Sequence, residues 1–347
     1  MTAPFRIDLT NAETFPTRRV EDWKWSDLRK FLRAAPEPSP ALAVAPGGPF
    51  AAMGGAEIAF GNGRDAAGAT EVGYVARGDE TLRLRFVTDA SGTGHQARAA
   101  IEIEAGASLL LLESYEGAGS AYVANASLGF TLGKGARLTR IVLLDDVADA
   151  ISISAAEVTL GEGAALAQTV LASGAKLQRH ETHVAHPGQG ASVRLDGLYV
   201  LRDERQADLT TVVEHSGVGG ETRQLTKGVV SDRARGVFQG RIVVAHGADK
   251  TDARMGHHAL ILSDRAEVDA KPELEIYADE VACAHGNTIG ALDENALFYA
   301  RARGIPEPEA RAMLTEAFLG EVLDRIEDER VREFARGWLS ARLEGLS

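Results

Sequence analysis

Hydrophobic and polar residues alternate along much of the chain after about residue 55. Leu82, Leu84 and Phe86 are separated by arginines, and Ile101 and Ile103 are separated by a glutamate. Successive side chains of a β-strand point to opposite faces, so this pattern predicts half-buried strands. We therefore expect the body of the protein to be mainly β.

One unit recurs along this body: a strand, a glycine turn, an alanine and a second strand. The alanine after the turn is Ala136, Ala164 and Ala191, at steps of 28 and 27 residues, and Ala107 lies 29 residues before Ala136. Such a unit cannot bury its own apolar face, and this period is typical of stacked coils. The sequence predicts a parallel β-helix (solenoid); a β-sandwich of repeated hairpins is the structural alternative.

Changes in composition divide the chain into four segments. Residues 1–35 form an N-terminal helical segment, with a short helix predicted over 17–33. Residues 36–50 contain five prolines, which predicts an extended linker. Residues 51–290 form the β-helix core, and residues 291–347 form a C-terminal helical domain.

The predicted C-terminal helices have recognisable ends. Asp293 is placed to cap a first helix that Gly304 stops. Pro308 stands in the first turn of a second helix, and a third is expected from about residue 327 to 343.

Composition and charge narrow the class of protein. The chain has 37 glycines among 347 residues and only 6% aromatic residues, which suits tight turns and small core side chains. Its formal net charge of -13 is opposite in sign to the surface that nucleic acid or an anionic membrane attracts. No apolar run approaches the roughly 18 residues of a membrane span, and the start lacks a signal peptide. We therefore expect a cytoplasmic protein without a nucleic-acid or membrane partner.

The single cysteine limits the redox and metal chemistry. Cys283 cannot form an internal disulfide, and one thiol cannot supply the four thiolates of a zinc or cluster site. Cys283 and His285 are two residues apart in a predicted strand and therefore share a face. A thiolate with an imidazole can ligate a soft metal, whereas a cysteine that only packs is the alternative.

The segment GTGHQA resembles a dinucleotide-binding fingerprint. It contains Gly92, Gly94 and Ala97, and Glu113 follows about 20 residues later. The motif requires a helix next, but the following residues alternate as a strand. We therefore expect no nucleotide site here, and any ATP would be bound by another subunit.

Three histidines, His180, His183 and His186, stand at three-residue steps. On a strand, His183 would face away from the other two, so we expect no metal site. His257 and His258 have no supporting cluster in the sequence and are expected to be structural.

A β-helix can also act on carbohydrate, and four acidic residues are the candidates for that chemistry. Glycoside hydrolysis needs two carboxylates across the scissile bond. Nothing in the spacing of the candidates distinguishes them from solvated turn residues; they are Asp145, Asp146, Asp232 and Asp249.

Three segments resemble the SufB/SufD family of iron-sulfur cluster assembly proteins. Residues 269–305 are similar to the family's C-terminal signature, residues 230–254 to its core repeat, and residues 16–29 to its N-terminal tryptophan motif. The Cys-x-His-Gly stretch resembles the SufD branch, whereas SufB typically has an acidic residue at the place of His285.

The resemblance implies a non-catalytic scaffold subunit with a parallel β-helix and C-terminal helices. It implies SufB as the β-helix partner, the ATPase SufC docked on the C-terminal helices, and a possible homodimer when the protein is isolated. Cys283 and His285 would lie at the SufB-facing end and ligate transient iron or an iron-sulfur cluster shared with SufB. Flavin involvement stays open.

Two interaction surfaces are expected on these grounds. A strand edge near residues 270–285 would pair with SufB, because a solenoid caps its last coil or uses it for pairing. The C-terminal helices would dock SufC, with Leu314 and Phe318 on the packed side and Glu316 and Glu321 on the exposed side. The functional alternatives are a β-helix carbohydrate-active enzyme, a SufB-like paralogue and a purely structural homo-oligomer.

Overall fold

A computed structural model of the protein describes residues 6–344. Its body is a parallel β-helix. In chain order, the strands are β1 (Glu37–Pro38), β2 (Ala56–Gly61), β3 (Glu71–Ala76), β4 (Asp79–Ser91), β5 (Thr93–Ile103), β6 (Ser108–Ser120), β7 (Val123–Leu132), β8 (Arg137–Asp145), β9 (Ile151–Leu160), β10 (Ala165–Ala172), β11 (Leu177–His186), β12 (Ser192–Leu201), β13 (Gln206–His215), β14 (Glu221–Val230), β15 (Arg235–Val244), β16 (Asp252–Ile261), β17 (Glu267–Ile276) and β18 (Ala282–Gly290).

Consecutive strands alternate between two nine-stranded sheets, which we call the odd sheet and the even sheet after their strand numbers. From β4 to β16, each strand pairs in parallel with the strands of the same sheet before and after it, while β1 and β3 both pair with β5. Ala165, for example, lies opposite Arg137 and Ser192, which are 28 and 27 residues away. The parallel pairing excludes the hairpins of a sandwich, and the predicted β-helix is confirmed.

The glycine turns set the length of each coil. Gly135 and Gly163 have φ values of +65° and +63°, a conformation that side chains with a Cβ rarely adopt. The alanine after each turn is buried, as the repeat predicts. Gly220 stands in place of that alanine at a later turn, because a Cβ there would lie 2.5 Å from Nδ1 of His215.

The inner faces of the two sheets enclose a continuous core, which we call the bore. The alternate positions of each strand point into it, and burial alternates along early strands such as β5. Middle strands such as β11 and β13 are buried on both faces. Its buried apolar members include Leu84, Ile101, Leu138, Val158, Val213 and Ile242.

The N-terminal segment lies on the outer face of the odd sheet. The prediction of one helix over residues 17–33 is wrong. Within that range only a 3₁₀ turn at Glu21–Trp23 and α1 (Leu28–Phe31) are helical. The reason is tertiary contact. The Trp23 ring lies 4.3 Å from the guanidinium of Arg179, and Gln206 Nε2 donates to the Trp25 carbonyl over 2.9 Å, so strand side chains take the place of helical partners.

The proline-rich stretch 36–50 is extended, as expected, but it is not a free linker. Its strand β1 pairs with β5, and Asn62 Nδ2 donates to the carbonyl of Pro40 over 3.0 Å. Arg85 Nη1 donates to the carbonyl of Ala45 over 2.9 Å. The stretch therefore lies along the first coils of the β-helix.

Three helices follow the last strand: α2 (Glu294–Ala302), α3 (Glu307–Leu323) and α4 (Glu329–Leu343). Asp293 caps α2 by accepting from Asn295 N over 2.9 Å, and Pro308 lies in the first turn of α3, both as predicted. Within residues 6–344, no helix is long and apolar enough to cross a membrane.

Helices α3 and α4 cover the outer face of the even sheet. Lys227 of β14 forms an ion pair with Glu321, and Arg342 forms one with Asp145. The helices and the sheet share an apolar cluster that includes Ile141, Leu198, Val229, Leu319, Val322, Val331 and Leu339. Helices α3 and α4 are therefore packed along the side of the β-helix.

Candidate functional site

The β-helix ends in a coil that no further strand of the described chain covers. Strands β17 and β18 are the last of their sheets, and each pairs on one side only. Their residues are all at least partly exposed, unlike those of the strands before them. The expected edge near residues 270–285 is thus present. We call this end of the β-helix the open end.

Cys283 and His285 lie on the inner face of β18. Cys283 is opposite Ala253 and His285 is opposite Met255, and both of these partners are buried in the bore. The predicted sharing of one face is confirmed. Cys283 is half-buried against the core, whereas His285 is exposed.

Burial raises the pKa of the Cys283 thiol. The thiol is therefore protonated at neutral pH, and a metal that binds it must displace the proton. Side chains two residues apart on a strand are separated by about 7 Å, which lets one thiolate and one imidazole reach a common ion.

Two ligands alone do not make a complete metal site. Among residues 6–344, no group of three or more His, Cys, Asp or Glu side chains is close enough to hold a metal ion. Iron at the open end would need further ligands from another molecule.

The three spaced histidines are divided between two faces, as strand geometry predicts. His180 Nδ1 lies 2.7 Å from the Ser154 hydroxyl in the bore. His186 also points inward and donates from Nε2 to the carbonyl of Ala191 over 2.7 Å. His183 faces outward, 3.3 Å from a carboxylate oxygen of Glu181. The structure therefore does not bring the three imidazoles together.

The dinucleotide-like segment forms strand β5, which pairs with β7 in the odd sheet. No helix follows it, so its backbone offers no helix N-terminus for a pyrophosphate. Its distant acidic partner in the motif, Glu113, points into the bore.

Three of the four candidate carboxylates have separate structural contacts, and Asp249 makes its contact through its backbone carbonyl. The expectation of solvated turn residues is wrong for Asp146, which is buried and accepts hydrogen bonds from Tyr122 and Gln178, both over 2.8 Å. Burial raises the pKa of Asp146. Asp232 accepts from the backbone N–H of Asp203 in a turn, Asp145 pairs with Arg342, and the Asp249 carbonyl accepts from Gly219.

Sequence reasoning missed a fully buried ion pair in the bore. Arg140 Nε and Nη2 donate to the two carboxylate oxygens of Glu113 over 2.8 and 2.9 Å, and both side chains are 0% exposed. Arg140 Nη1 donates to Gln168 over 2.7 Å, and the Tyr115 hydroxyl donates to Glu113 over 2.7 Å. A signal was available, since Arg140 and Gln168 are one repeat step apart and therefore adjacent in the sheet.

The four residues expected at the SufC docking surface of the C-terminal helices differ in their burial and contacts. Leu314 and Phe318 are half-buried, and Glu316 is exposed. Glu321 and Phe318 both contact Lys227, whose ammonium lies 4.4 Å from the phenyl ring. The sequence did not single out the exposed aromatic residues of α2, Phe298 at 72% and Tyr299 at 60%, or Met313 of α3 at 51%.

The fold and the open end define a parallel β-helix protein whose terminal coil carries one cysteine and one histidine. The chain matches the family model described as the SufBD core domain of SUF-system FeS cluster assembly over residues 86–318. It therefore belongs to the SufBD family of iron-sulfur cluster assembly proteins.

Individual relatives agree with this family. The chain is 38% identical to the iron-sulfur cluster assembly protein SufD of Escherichia coli over 184 residues, which are 53% of this chain and 43% of the relative. It is 32% identical to a SufBD family protein of Synechocystis over 257 residues, 71% of this chain and 56% of the relative. Identity to Bacillus subtilis SufD is 34% over 146 residues, 42% of this chain and 33% of the relative. The chain thus spans about half or less of the length of these curated relatives.

Proposed function

We propose that this protein is a SufD-like, non-catalytic subunit of a scaffold that also contains SufB and the ATPase SufC. The observation that supports this most directly is the open end, where two unpaired strand edges surround a same-face cysteine and histidine. Unpaired edges can extend a sheet into a neighbouring molecule. SufB would pair there, and a second copy of this chain would use the same edges when SufB is absent.

The cargo at this junction would be transient iron or a forming iron-sulfur cluster. Cys283 would contribute a thiolate and His285 an imidazole, a mixed donor set that iron accepts. Because the described chain supplies no third ligand beside them, the other ligands would come from SufB. The isolated subunit should accordingly purify almost free of iron.

The test is cluster assembly by the complete complex that contains Cys283→Ala or His285→Ala. Both variants should form the complex and lose cluster formation. His258→Ala is the matched control, because His258 lies on β16 with its ring toward Thr288 on the outer face. Parental cluster formation by both site variants would reduce the open end to a structural contact, and loss by His285→Ala alone would make the imidazole the working group.

The SufC docking surface is proposed on α2 and α3. Phe298 and Tyr299 of α2 and Met313 of α3 are exposed hydrophobic side chains, and Leu314, next to Met313 in α3, is half-buried. Phe318 and Glu321 belong to the inner border of this surface because both contact Lys227.

A truncation before α2 would remove the helices that cover the even sheet, so substitutions of exposed side chains are the sharper test. Phe298→Ser with Met313→Ser should reduce capture of SufC at least tenfold and leave SufB bound. Glu333→Ala serves as an exposed control on α4, outside the proposed surface. Unchanged capture of SufC would remove α2 and α3 as the docking surface.

A further inference from the structure

We propose that Asn287 presents its side-chain NH₂ group as a hydrogen-bond donor to a sulfur atom of the cargo at the open end. A hydrogen-bonded chain inside the bore, from Tyr199 through His257, holds Asn287 in this orientation. The inference rests on the proposed function of Cys283 and His285 as cargo ligands. Asn287 would act as a positioning and tuning residue beside them.

The hydrogen bonds from Tyr199 through His257 to Asn287 have defined distances. The Tyr199 hydroxyl lies 3.0 Å from His257 Nε2, and His257 Nδ1 lies 2.7 Å from Asn287 Oδ1. Tyr199 and His257 are both 0% exposed. The imidazole also stacks on Phe238, with ring centroids 4.7 Å apart and planes within 1°. Packing therefore fixes the ring that holds Asn287.

Two glycines make room for the buried tyrosine. A Cβ at Gly228 would lie 1.9 Å from the Tyr199 ring, and one at Gly236 would lie 2.6 Å from it. Glycine within a strand costs conformational entropy on folding. Glycine at these two positions therefore allows the Tyr199 hydroxyl to reach His257.

The chemistry of Tyr199, His257 and Asn287 determines which of them donates each hydrogen bond. A carboxamide oxygen only accepts, so Nδ1 of His257 carries the proton. Burial lowers the pKa of His257 to about 4, so the ring is neutral and its Nε2 accepts from the Tyr199 O–H. The reverse direction would leave the buried Tyr199 O–H without an acceptor, which is costly.

This direction leaves the NH₂ group of Asn287 for the open end. Asn287 is exposed and lies two residues beyond His285 on the same face of β18, a separation of about 7 Å. A cluster ligated at Cys283 and His285 would bring its own sulfur atoms close to these side chains and to their neighbours on the inner face. Hydrogen bonds to such sulfurs help to set the reduction potential of a cluster.

The same two strands supply a matched control. His258 Nδ1 lies 2.6 Å from the Thr288 hydroxyl, at the adjacent register position and on the outer face. A substitution of Thr288 removes a comparable hydrogen bond from the same edge strand without touching the inner face.

The experiment measures the reduction potential and visible absorption of the cluster on the SufB–SufC–SufD complex. Asn287→Asp keeps the acceptor for His257 and replaces the donor with a negative oxygen, so the potential should become more negative. His257→Phe keeps the stack and should shift the potential in the same direction by less. Thr288→Val should leave it unchanged.

Three results would overturn the inference, and each is distinguishable from the others. An unchanged potential in Asn287→Asp, with the cluster abolished in Cys283→Ala, refutes the donor and leaves the proposed function standing. Weaker association with SufB at an unchanged potential assigns the acceptor to a partner carbonyl instead of the cargo. Intact clusters in both Cys283→Ala and His285→Ala refute the proposed function, and the inference with it.

Discussion

Replacing Arg140 with methionine tests the energetics of the buried ion pair. Arg140 and Glu113 are completely buried, with two hydrogen bonds between them of 2.8 and 2.9 Å. Arg140→Met leaves the Glu113 carboxylate in the bore with the Tyr115 hydroxyl as its remaining side-chain hydrogen-bond partner. Removing one member of a buried pair typically costs about 3–5 kcal/mol. This is a large part of the roughly 5–15 kcal/mol that stabilises a folded domain.

The double variant Arg140→Met with Glu113→Gln separates charge burial from packing. A neutral glutamine still accepts from Tyr115, so the double variant should regain more than half of the stability that the single variant loses. Urea unfolding followed by circular dichroism gives the free energies of unfolding. The reasoning would be refuted by a single variant within about 1 kcal/mol of the parent, or by a double variant no more stable than the single one.

Three further predictions concern other parts of the chain. Gly228→Ala should destabilise the protein by about 1–3 kcal/mol because its Cβ would meet the Tyr199 ring, whereas parental thermal stability would show that the ring moves aside. Burial and neighbouring His186 lower the pKa of His215 to about 3, so between pH 6.5 and pH 3 the unfolded chain binds a proton that the folded chain does not. The free energy of unfolding should therefore decline as pH falls over that range, and it should decline less steeply in His215→Phe. Equal slopes for the two proteins in urea titrations would contradict this. Lys227→Met should loosen α3, because Lys227 donates to the Phe318 carbonyl over 2.9 Å and pairs with Glu321, and faster proteolysis within α3 is the expected readout; an unchanged cleavage rate would contradict it.

The coil architecture could be predicted because its determinants are local. Glycine with positive φ and a small residue after it recur at the turns before β6, β8, β10, β12 and β14, whereas Lys250 has the positive φ before β16. Ala136 and Ala164 mark that recurrence directly in the sequence. The alternation of side chains within a strand also predicts that Cys283 and His285 lie on the same face. Both signals depend only on neighbouring residues.

The contents of the bore could not be predicted in the same way. Alternation shows that Arg140 points inward, but its partners depend on the register between coils and on side-chain reach across the bore. Glu113 is displaced by two positions from the residue that pairs with Arg140 in the sheet, Leu111. The Tyr199–His257 contact likewise joins strands β12 and β16, which are not adjacent in the even sheet.

The prediction of an N-terminal helix over residues 17–33 is wrong for a related reason. The amphipathic spacing over 17–33 is real, but the outer face of the odd sheet supplies polar partners that satisfy a non-helical backbone. The Ser26 hydroxyl donates to buried Asp208, and Gln239 Nε2 donates to the Asp22 carbonyl over 3.0 Å. Tertiary hydrogen bonds therefore outweigh a weak local propensity.

The path of this N-terminal segment changes how the whole solenoid should unfold. Stacked coils contact only their neighbours, so a bare solenoid can lose its terminal coil independently of the rest. Here the segment crosses the odd sheet from β7, where Asn125 Nδ2 donates to the Ile7 carbonyl over 3.3 Å, to β17, where Lys271 donates to Glu21 over 2.7 Å. Fraying of the last coil must then release contacts made several coils away. The segment couples the last coil to coils several steps away, so we expect this solenoid to unfold more cooperatively than a bare stack of coils.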